Sequence, residues 1–205
     1  MSPSSSHCNA SRSPDMPDGI PHHGDDSNSV PVTYSYTPLP KDSIHLLRLL
    51  PDKNRSSPVK CRLSTCAFLK TGRSHPYEAL SYVWGSEAYR KVIVLDDKDI
   101  EIGSSLYDAL IHLRDDFFER VLWVDALCIK QQDNFEKGVQ VQAMALIYAK
   151  ATRVVVWLGM DEGNGEQALE ELRFAATRTQ VNREFTHNPS PSVLHLVKRP
   201  WFERV

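Results

Sequence analysis

Short apolar and β-branched runs, separated by polar turns, recur through the middle of the chain. The runs at residues 44–50, 61–63 and 77–85 are rich in residues that favour extended backbone. The first two are separated by a polar turn region at residues 52–58, and they predict a strand pair or an edge layer. The third run closes at Gly85, which is typical of a strand that passes into a loop.

A second pair of apolar segments, residues 92–95 and 100–102, flanks the polar residues 96–99. A polar turn of this length between two β-favouring segments predicts a hairpin. Ser105 and Asp108 come next, in the positions of a helix capping box. They precede a stripe at helical spacing, so we expect a helix that buries Leu106, Ala109, Leu110 and Leu113.

Further apolar stripes at helical spacing follow later in the chain. One predicts a helix whose buried face contains Val141, Met144, Ile147, Tyr148 and Ala151. Another predicts a helical face made of Ala168, Leu169, Leu172 and Ala175. Ser190 and Pro191 then stand as a capping residue and a first-turn proline before Leu194 and Val197, which predicts a last helix.

Two apolar segments lie on either side of the second helical stripe. Residues 121–125 do not alternate with polar positions, which predicts a strand buried on both faces, and residues 154–159 predict another strand. A strand, helix, strand order predicts a right-handed crossover within a parallel sheet. We therefore expect an α/β fold, with a mainly parallel sheet, helices on both faces and an N-terminal β-hairpin elaboration.

The composition divides the chain at about residue 44. Residues 1–43 are dominated by Ser, Pro, His, Asp and Gly, and they contain few large apolar side chains that burial could use to offset the cost of ordering. We interpret them as a disordered tail. The remaining residues, 44–205, have enough apolar material for one compact core, so we expect one domain there.

Charge and cysteine usage exclude several classes of protein. A formal net charge of -2 gives no electrostatic reason to expect a nucleic-acid partner. The four cysteines do not follow a zinc pattern, so we expect reduced thiols and no metal site. The N-terminus lacks the apolar run of a secretory signal, and no apolar run is long enough to span a bilayer. We expect a soluble cytoplasmic protein.

Two carboxylates are the candidate catalytic groups. Asp125 ends an apolar strand, where open α/β sheets place their ligand crevices, and it can hold a ribose hydroxyl or a cation. The alternative is that Asp125 caps the following loop by accepting backbone N–H bonds. Glu136, with Asp133 just before it, can act as a general base in the same crevice. The alternative for Glu136 is a structural acid in a first helical turn.

The remaining reactive or aromatic residues favour structural interpretations. Cys128 lies in an apolar setting, so we expect an unreactive core thiol and not a nucleophile. Trp84, Trp123 and Trp157 can stack on a base or nicotinamide ring, although core packing is the commoner role of such residues. The chain has neither a GxGxxG turn nor a Walker-type loop, and we expect no bound cofactor.

Three segments carry a resemblance to a known family. Residues 77–85, 122–131 and 151–159 resemble, in order and in spacing, the three blocks of fungal heterokaryon incompatibility (HET) domains. The likeness covers roughly residues 44–205. It implies an intracellular module of self/non-self recognition, which triggers regulated cell death through self-assembly or the recruitment of protein partners.

The resemblance also implies a distant similarity to TIR domains, whose flavodoxin-like fold can signal by assembly or cleave NAD with a catalytic glutamate. On this alternative the chain is an NAD-cleaving enzyme with Asp125 and Glu136 as candidate catalytic residues. Ser81, Trp84 and Asp125 are then the candidate residues for holding NAD.

The last residues depart from the family's pattern. The final segment of a HET domain resembles Trp-Phe-x-Arg followed by a tryptophan and a Gln-Glu pair, whereas this sequence has Trp201, Phe202 and Arg204 without that pair. We therefore expect residues 44–205 to be a HET domain truncated at its C-terminal end. A third hypothesis follows, that the chain is an inactive fragment of an NAD-cleaving enzyme.

Overall fold

Strands dominate the first half of the fold and helices the second. The computed structural model describes residues 34–67, 76–86, 88–161, 163–179 and 189–203. The strands are β1 (Ser43–Leu49), β2 (Lys60–Ala67), β3 (Glu78–Tyr82), β4 (Arg90–Leu95), β5 (Lys98–Gly103), β6 (Arg120–Trp123) and β7 (Arg153–Trp157). The helices are α1 (Ser104–Leu113), α2 (Asp125–Cys128), α3 (Asn134–Lys150), α4 (Gly165–Thr179) and α5 (Pro191–Val197). These elements belong to one compact unit, Pro31–Val205.

The described strands form one seven-stranded sheet in the order β5-β4-β2-β1-β6-β3-β7. Three neighbouring pairs are parallel, namely β2 with β4, β6 with β3, and β3 with β7. The other three are antiparallel. The α/β class is confirmed, but the expectation of a mainly parallel sheet is not fully met, because the sheet is mixed and its run of parallel neighbours is limited to β6-β3-β7.

Of the two alternatives for the N-terminal segments, the strand pair is confirmed and the edge layer is not. β1 and β2 pair antiparallel along seven register positions, and β1 lies in the middle of the sheet between β2 and β6. The reason is in the sequence of β1, where Ile44, Leu46, Leu47 and Leu49 are all buried. A strand with apolar residues on both faces is most stable where both faces are covered.

The predicted hairpin between β4 and β5 is confirmed, with a tighter turn than the four polar residues implied. Its two turn residues, Asp96 and Asp97, both have positive φ, at 47° and 61°. Positive φ at both positions is the geometry of a type I′ turn, whose twist matches that of the strands it joins. Asp96 also accepts a hydrogen bond from the Tyr34 hydroxyl, which attaches the segment before β1 to this turn.

Helices cover both faces of the sheet. Trp123 pairs with Ala79, and Trp157 pairs with Tyr82, three residues further along β3. Because side chains alternate along a strand, the two tryptophans face opposite sides. The ring of Trp157 contacts His112 on α1, whereas the ring of Trp123 contacts Tyr148 on α3.

The start of α1 differs from the prediction. Leu106, Ala109 and Leu110 are buried as expected. The capping box is wrong, because the N-cap is Gly103 and no side chain caps the helix. Gly103 is held close to the chain after β3, since a Cβ added there would lie 3.3 Å from the carbonyl oxygen of Trp84.

The apolar stripes of the later helices are only partly buried. In α3 the buried residues are Gln140 and Ile147, while Val141 is exposed. In α4 Ala168 is buried, but Leu169 and Leu172 are exposed. The Ser190 cap before Pro191 is confirmed by the hydrogen bond from the Val193 N–H to the Ser190 hydroxyl, although Leu194 and Val197 are exposed and Leu196 is the buried residue. Helical spacing thus located these helices. In α3 it also identified the packed face apart from Val141, since Met144, Tyr148 and Ala151 lie against the core beside Ile147, whereas in α4 it was correct for Ala168 alone and in α5 it missed Leu196.

Candidate functional site

The parallel strands β6, β3 and β7 bring their C-terminal ends to one edge of the sheet, which we call the carboxyl edge. Trp84 follows β3, Asp125 follows β6 and Leu158 follows β7. In open α/β sheets this is the edge where ligand crevices form. Of the candidate residues, Ser81 lies in β3, Trp84 lies in the loop after β3, and Asp125 begins α2 after β6.

Trp84 and Asp125 are in direct contact. The indole Nε1–H of Trp84 donates to Oδ2 of Asp125 at 3.0 Å. The second oxygen of Asp125 accepts from the Ala126 N–H at 2.8 Å, and its backbone carbonyl accepts from Gln131 at 2.8 Å. Asp125 therefore stabilises the start of α2, as the loop-capping alternative requires, and at the same time orients an indole that is 45% exposed.

Ser81 is held by residues near the end of the described chain. Its hydroxyl accepts a hydrogen bond from the Trp201 indole at 3.0 Å. Arg199 donates to the Leu158 carbonyl at 3.5 Å and to the Asp161 carboxylate at 3.2 Å. The segment after α5 therefore lies across the ends of β3 and β7, a role for Arg199 and Trp201 that sequence reasoning did not assign.

Asp161 organises the loop that leads into α4. Its carboxylate accepts from the N–H groups of Gly165 at 2.9 Å and Gly163 at 3.2 Å. These bonds, the Gly165 contact foremost, and the nearby Arg199 lower the pKa of Asp161. The carboxylate is therefore kept ionised, and it joins the start of α4 to the segment that crosses the carboxyl edge.

Glu136 lies in the first turn of α3, as predicted, and its contacts are with the preceding loop. Its Oε1 accepts from the Lys130 N–H at 3.3 Å. Asp133 caps the same helix by accepting from the N–H groups of Phe135 and Glu136, both at 3.1 Å. The contact with the Glu136 N–H lowers the pKa of Asp133 most. These contacts are those of helix-start acids.

Cys128 is a core thiol. It is fully buried, and burial raises its pKa to about 12, so it stays protonated at neutral pH. Cys61 and Cys66 are likewise free and buried. Among the described residues, no group of three or more His, Cys, Asp or Glu side chains is arranged to hold a metal ion.

The opposite ends of the same three strands form what we call the amino edge, and they carry a charge cluster that sequence reasoning missed. Glu78, at the start of β3, pairs with Arg120 at the start of β6 and with Arg153 at the start of β7. The Glu78 side chain is only 14% exposed. A signal was present, since a lone carboxylate in a buried strand requires cationic partners, and both arginines directly precede predicted strands.

Comparison with known families identifies this α/β domain as one of the heterokaryon incompatibility class. The family model "Heterokaryon incompatibility protein (HET)" matches residues 77–205, which include both edges and the whole parallel run of the sheet. The chain belongs to this family.

A protein of Neurospora crassa described as "Heterokaryon incompatibility protein 6, OR allele" is 34% identical to the chain over 161 residues. The alignment covers 71% of this chain and 22% of that protein, so the chain spans about a fifth of its relative's length. No solved structure matches the chain significantly. None of the helices that the structure describes is long and apolar enough to cross a membrane.

Proposed function

We propose that this chain is a cytoplasmic self/non-self recognition module of a fungal cell, which triggers regulated cell death by self-assembly or by recruiting protein partners. Membership of the HET family supports a role in self/non-self recognition and cell death. The surface of α3 supports self-assembly or partner recruitment as the mechanism. Phe135, Val139 and Leu146 are 84%, 50% and 40% exposed on one face of this helix. Solvent-facing helix surfaces are normally polar, and contiguous apolar ones are typical of protein interfaces.

The contacts of the candidate catalytic groups favour a scaffold over a reaction centre. Asp125 accepts from the Trp84 indole and from the Ala126 N–H, and Glu136 accepts from the Lys130 N–H. Each carboxylate therefore stabilises a loop or a helix start. A general base needs an oxygen directed at a substrate proton, and both groups are engaged in local structure.

We also propose that the functional domain begins at about residue 44, before the segment that the family model matches. β1 lies next to β6 in the middle of the sheet, and four of its leucine and isoleucine side chains are core residues. A chain that begins at residue 77 would lose β1 and β2 and leave β6 without its neighbour. We expect such a shortened chain to be insoluble, which expression of the two lengths side by side will test.

Forced clustering in a fungal cell tests the proposed mechanism. The full chain is fused to a domain that dimerises on addition of a small molecule, and dead hyphal compartments are counted with a vital dye. We expect death to rise sharply on clustering, because assembly is the proposed signal. The Asp125→Asn variant should respond like the parent, because the proposed mechanism requires no carboxylate chemistry.

Two controls make the clustering result interpretable. The dimerising domain alone must be harmless, and a Leu47→Asp variant, which places a charge in the core, must be inactive because it does not fold. Clustering of well-folded parent chain without any rise in death would contradict the proposal.

A second candidate function is NAD cleavage, and one observation favours it. The exposed side chain of Trp84 is oriented by Asp125 at the carboxyl edge, and Ser81 lies on β3, the strand that Trp84 follows. An exposed aromatic ring beside a carboxylate is a suitable platform for a nicotinamide or adenine ring and its ribose hydroxyls.

Fluorescence titration with NAD tests this second candidate. If NAD stacks on Trp84, indole emission falls with a saturable dependence on NAD concentration, and the Trp84→Phe variant loses that part of the quenching. The chain contains four tryptophans, so the variant is needed to separate stacking from the absorbance of NAD itself. Identical curves for the parent and the variant would argue against NAD binding at this edge.

A further inference from the structure

The helices α4 and α5 stand apart from the hydrophobic core. The apolar residues of that core, and those packed against it, lie between Tyr34 and Trp157 in the described part of the chain. Beyond Trp157, α4 and α5 pack mainly against each other. Each has one buried apolar side chain among its described residues, Ala168 in α4 and Leu196 in α5. Little apolar burial therefore opposes movement of the two helices away from the sheet.

Hydrogen bonds within the pair hold α4 and α5 together as one unit. The Ser190 hydroxyl donates to the Glu171 carboxylate on α4. The same hydroxyl accepts from the Val193 N–H, so it also caps α5. Because one side chain joins the cap of α5 to the side of α4, the two helices can move as a rigid pair.

The connection between β7 and α4 has the backbone freedom of a hinge. Gly159 and Gly163 have φ values of 94° and 104°, in the left-handed region that favours glycine. A Cβ added at either position would have no heavy atom within 4 Å. Packing therefore does not confine the backbone at these two points, where changes of φ and ψ reorient the whole of α4.

Polar contacts of two residues after α5 hold the pair against the sheet. The guanidinium of Arg199, whose side chain is 11% exposed, donates to the Leu158 carbonyl and to the Asp161 carboxylate, both in the connection after β7. The Trp201 indole donates to the Ser81 hydroxyl on β3. We call these bonds the closing contacts. A few hydrogen bonds near solvent stabilise a closed state far less than a buried apolar layer would, so this state can open.

We propose that α4 and α5 form a hinged lid, which the closing contacts of Arg199 and Trp201 hold over the carboxyl edge. Opening of the lid removes the donors from the Leu158 carbonyl and the Ser81 hydroxyl. These groups then become available to another molecule at the ends of β7 and β3. The motion goes beyond the proposed function and is independent of it, whereas control of access to the edge rests on the second candidate function, in which this edge binds NAD.

Distances between two nitroxide labels, measured by pulsed electron paramagnetic resonance on the full chain, test the motion. One label is attached at Ala176→Cys on α4 and the other at Lys98→Cys on β5, since both positions are exposed. The free cysteines of the described residues are buried, and Cys8 is replaced by serine, so only the two introduced thiols should react. We expect the parent to give one main distance, which is that of the closed state.

Loss of a closing contact should increase the open population, which appears as a second distance. We expect about a tenfold increase in Arg199→Gln, because the bond of a charged donor is lost, and a smaller one in Trp201→Phe, where the lost donor is neutral. The double variant should have the largest open population. Arg173→Gln is the matched control and should give the parent's distance, because Arg173 is an exposed arginine of α4 that pairs with Glu170 on the same helix.

A second label pair separates opening of the lid from loss of folding. Lys98→Cys and Lys137→Cys place both labels outside the lid, at exposed positions on β5 and α3, so their distance should be the same in the parent and the double variant. An unchanged distance between the labels at Ala176→Cys and Lys98→Cys in the double variant would overturn the lid. A change in both pairs would also overturn it, because the closing contacts would then hold the core together.

The reactivity of a thiol in place of Ser81 tests access to the edge without NAD. In the Cys8→Ser background, we expect Ser81→Cys to react with a maleimide about tenfold faster when Arg199→Gln is added, in proportion to the open population. Lys98→Cys, at an exposed position outside the lid, should react at the same rate with and without Arg199→Gln. A lid that opens without any change in the rate at Ser81→Cys would refute control of the edge. A faster reaction without NAD-dependent quenching of Trp84 would contradict the second candidate function and leave the lid standing.

Discussion

The two ends of the parallel strands β6, β3 and β7 are built in different ways. At the amino edge, the Glu78 carboxylate is enclosed by Arg120 and Arg153, so a mostly buried charge has two cationic partners. At the carboxyl edge, Asp125 holds a half-exposed indole, and the Trp201 indole bonds to the Ser81 hydroxyl. One end is a mostly buried carboxylate shared by two arginines. At the other end, indole N–H groups donate to Asp125 and Ser81, and Arg199 pairs with the half-exposed Asp161.

The two edges differ in how much free energy of unfolding their contacts contribute. A buried carboxylate with two arginines is costly to disturb, because removing one member leaves the others uncompensated. A single hydrogen bond near solvent, such as the one between Trp84 and Asp125, contributes much less. The amino edge therefore stabilises the sheet, and we propose that the carboxyl edge, together with α3, is where the chain contacts other molecules.

Glu78→Gln should produce the largest effect among the variants of these edges. Two arginines at the strand ends would lose their carboxylate, and we expect the free energy of unfolding to fall by about 3 kcal/mol. Urea denaturation measures this. Glu119→Gln is the matched control, because Glu119 pairs with Arg48 in an exposed bridge, whose loss should cost less than about 1 kcal/mol. If Glu78→Gln and Glu119→Gln lowered the free energy of unfolding equally, the buried cluster would be no more stabilising than the exposed bridge, contrary to this account.

Gly165→Ala should have the next largest effect. A Cβ at this position would lie 2.7 Å from Oδ1 of Asp161 and 3.2 Å from Arg199, so the contacts that hold the carboxyl edge must shift. We expect a loss of about 2 kcal/mol by the cost of overpacking. Gly138→Ala, measured at a concentration where the chain is monomeric, should instead stabilise by about 0.5–1 kcal/mol, because alanine favours a helix interior.

Trp84→Phe should have a smaller effect on stability. The variant keeps an aromatic ring but removes the indole N–H that donates to Asp125. We expect the free energy of unfolding to fall by about 1 kcal/mol or less, as for a single hydrogen bond near solvent. Urea denaturation of this variant and of Glu78→Gln under the same conditions compares the loss of unfolding free energy at the two edges. A loss as large as that of Glu78→Gln would mean that the carboxyl edge is also a structural cluster.

The smallest effect should be a dependence of stability on acid pH from Asp161. The Gly165 N–H contact lowers the pKa of this carboxylate in the folded chain. A lowered pKa contributes stability above the unfolded value of about 3.9, and that contribution is lost as pH falls through the folded value. Asp161→Asn should therefore be less stable than the parent at pH 7, and its thermal midpoint should fall less between pH 5 and pH 3. If the thermal midpoints of the parent and Asp161→Asn fell by the same amount between pH 5 and pH 3, the ionised Asp161 carboxylate would not contribute to stability as proposed.

Much of the fold was predictable because local patterns determined it. The apolar run of β6, the hairpin β4–β5 and the Ser190 cap each have a short-range physical signature, and the structure confirms all three. The apolar residues on both faces of β1 indicate a buried strand, but they do not identify its neighbours in the sheet. Pairing partners lie far apart in sequence, and only the shared register of β1 with β2 and β6 reveals that it is central.

The candidate site was predictable in part. The location of Asp125 at a strand end follows from the strand pattern, but its contact with Trp84 joins residues 41 positions apart. The exposed face of α3 was missed because apolar spacing alone was read as burial, and Val141 was assigned to the core. Gln140, a polar residue, is buried instead, and its amide donates to the Ser43 carbonyl at 3.2 Å.

Nicotinamide release from NAD, measured with the purified chain in its clustered and unclustered forms, tests most directly whether this domain acts through assembly or through chemistry. We expect no release above the buffer rate in either form, and no difference between the parent and Asp125→Ala. Release that appears on clustering and disappears in Asp125→Ala would contradict this and would identify the carboxyl edge as a reaction centre.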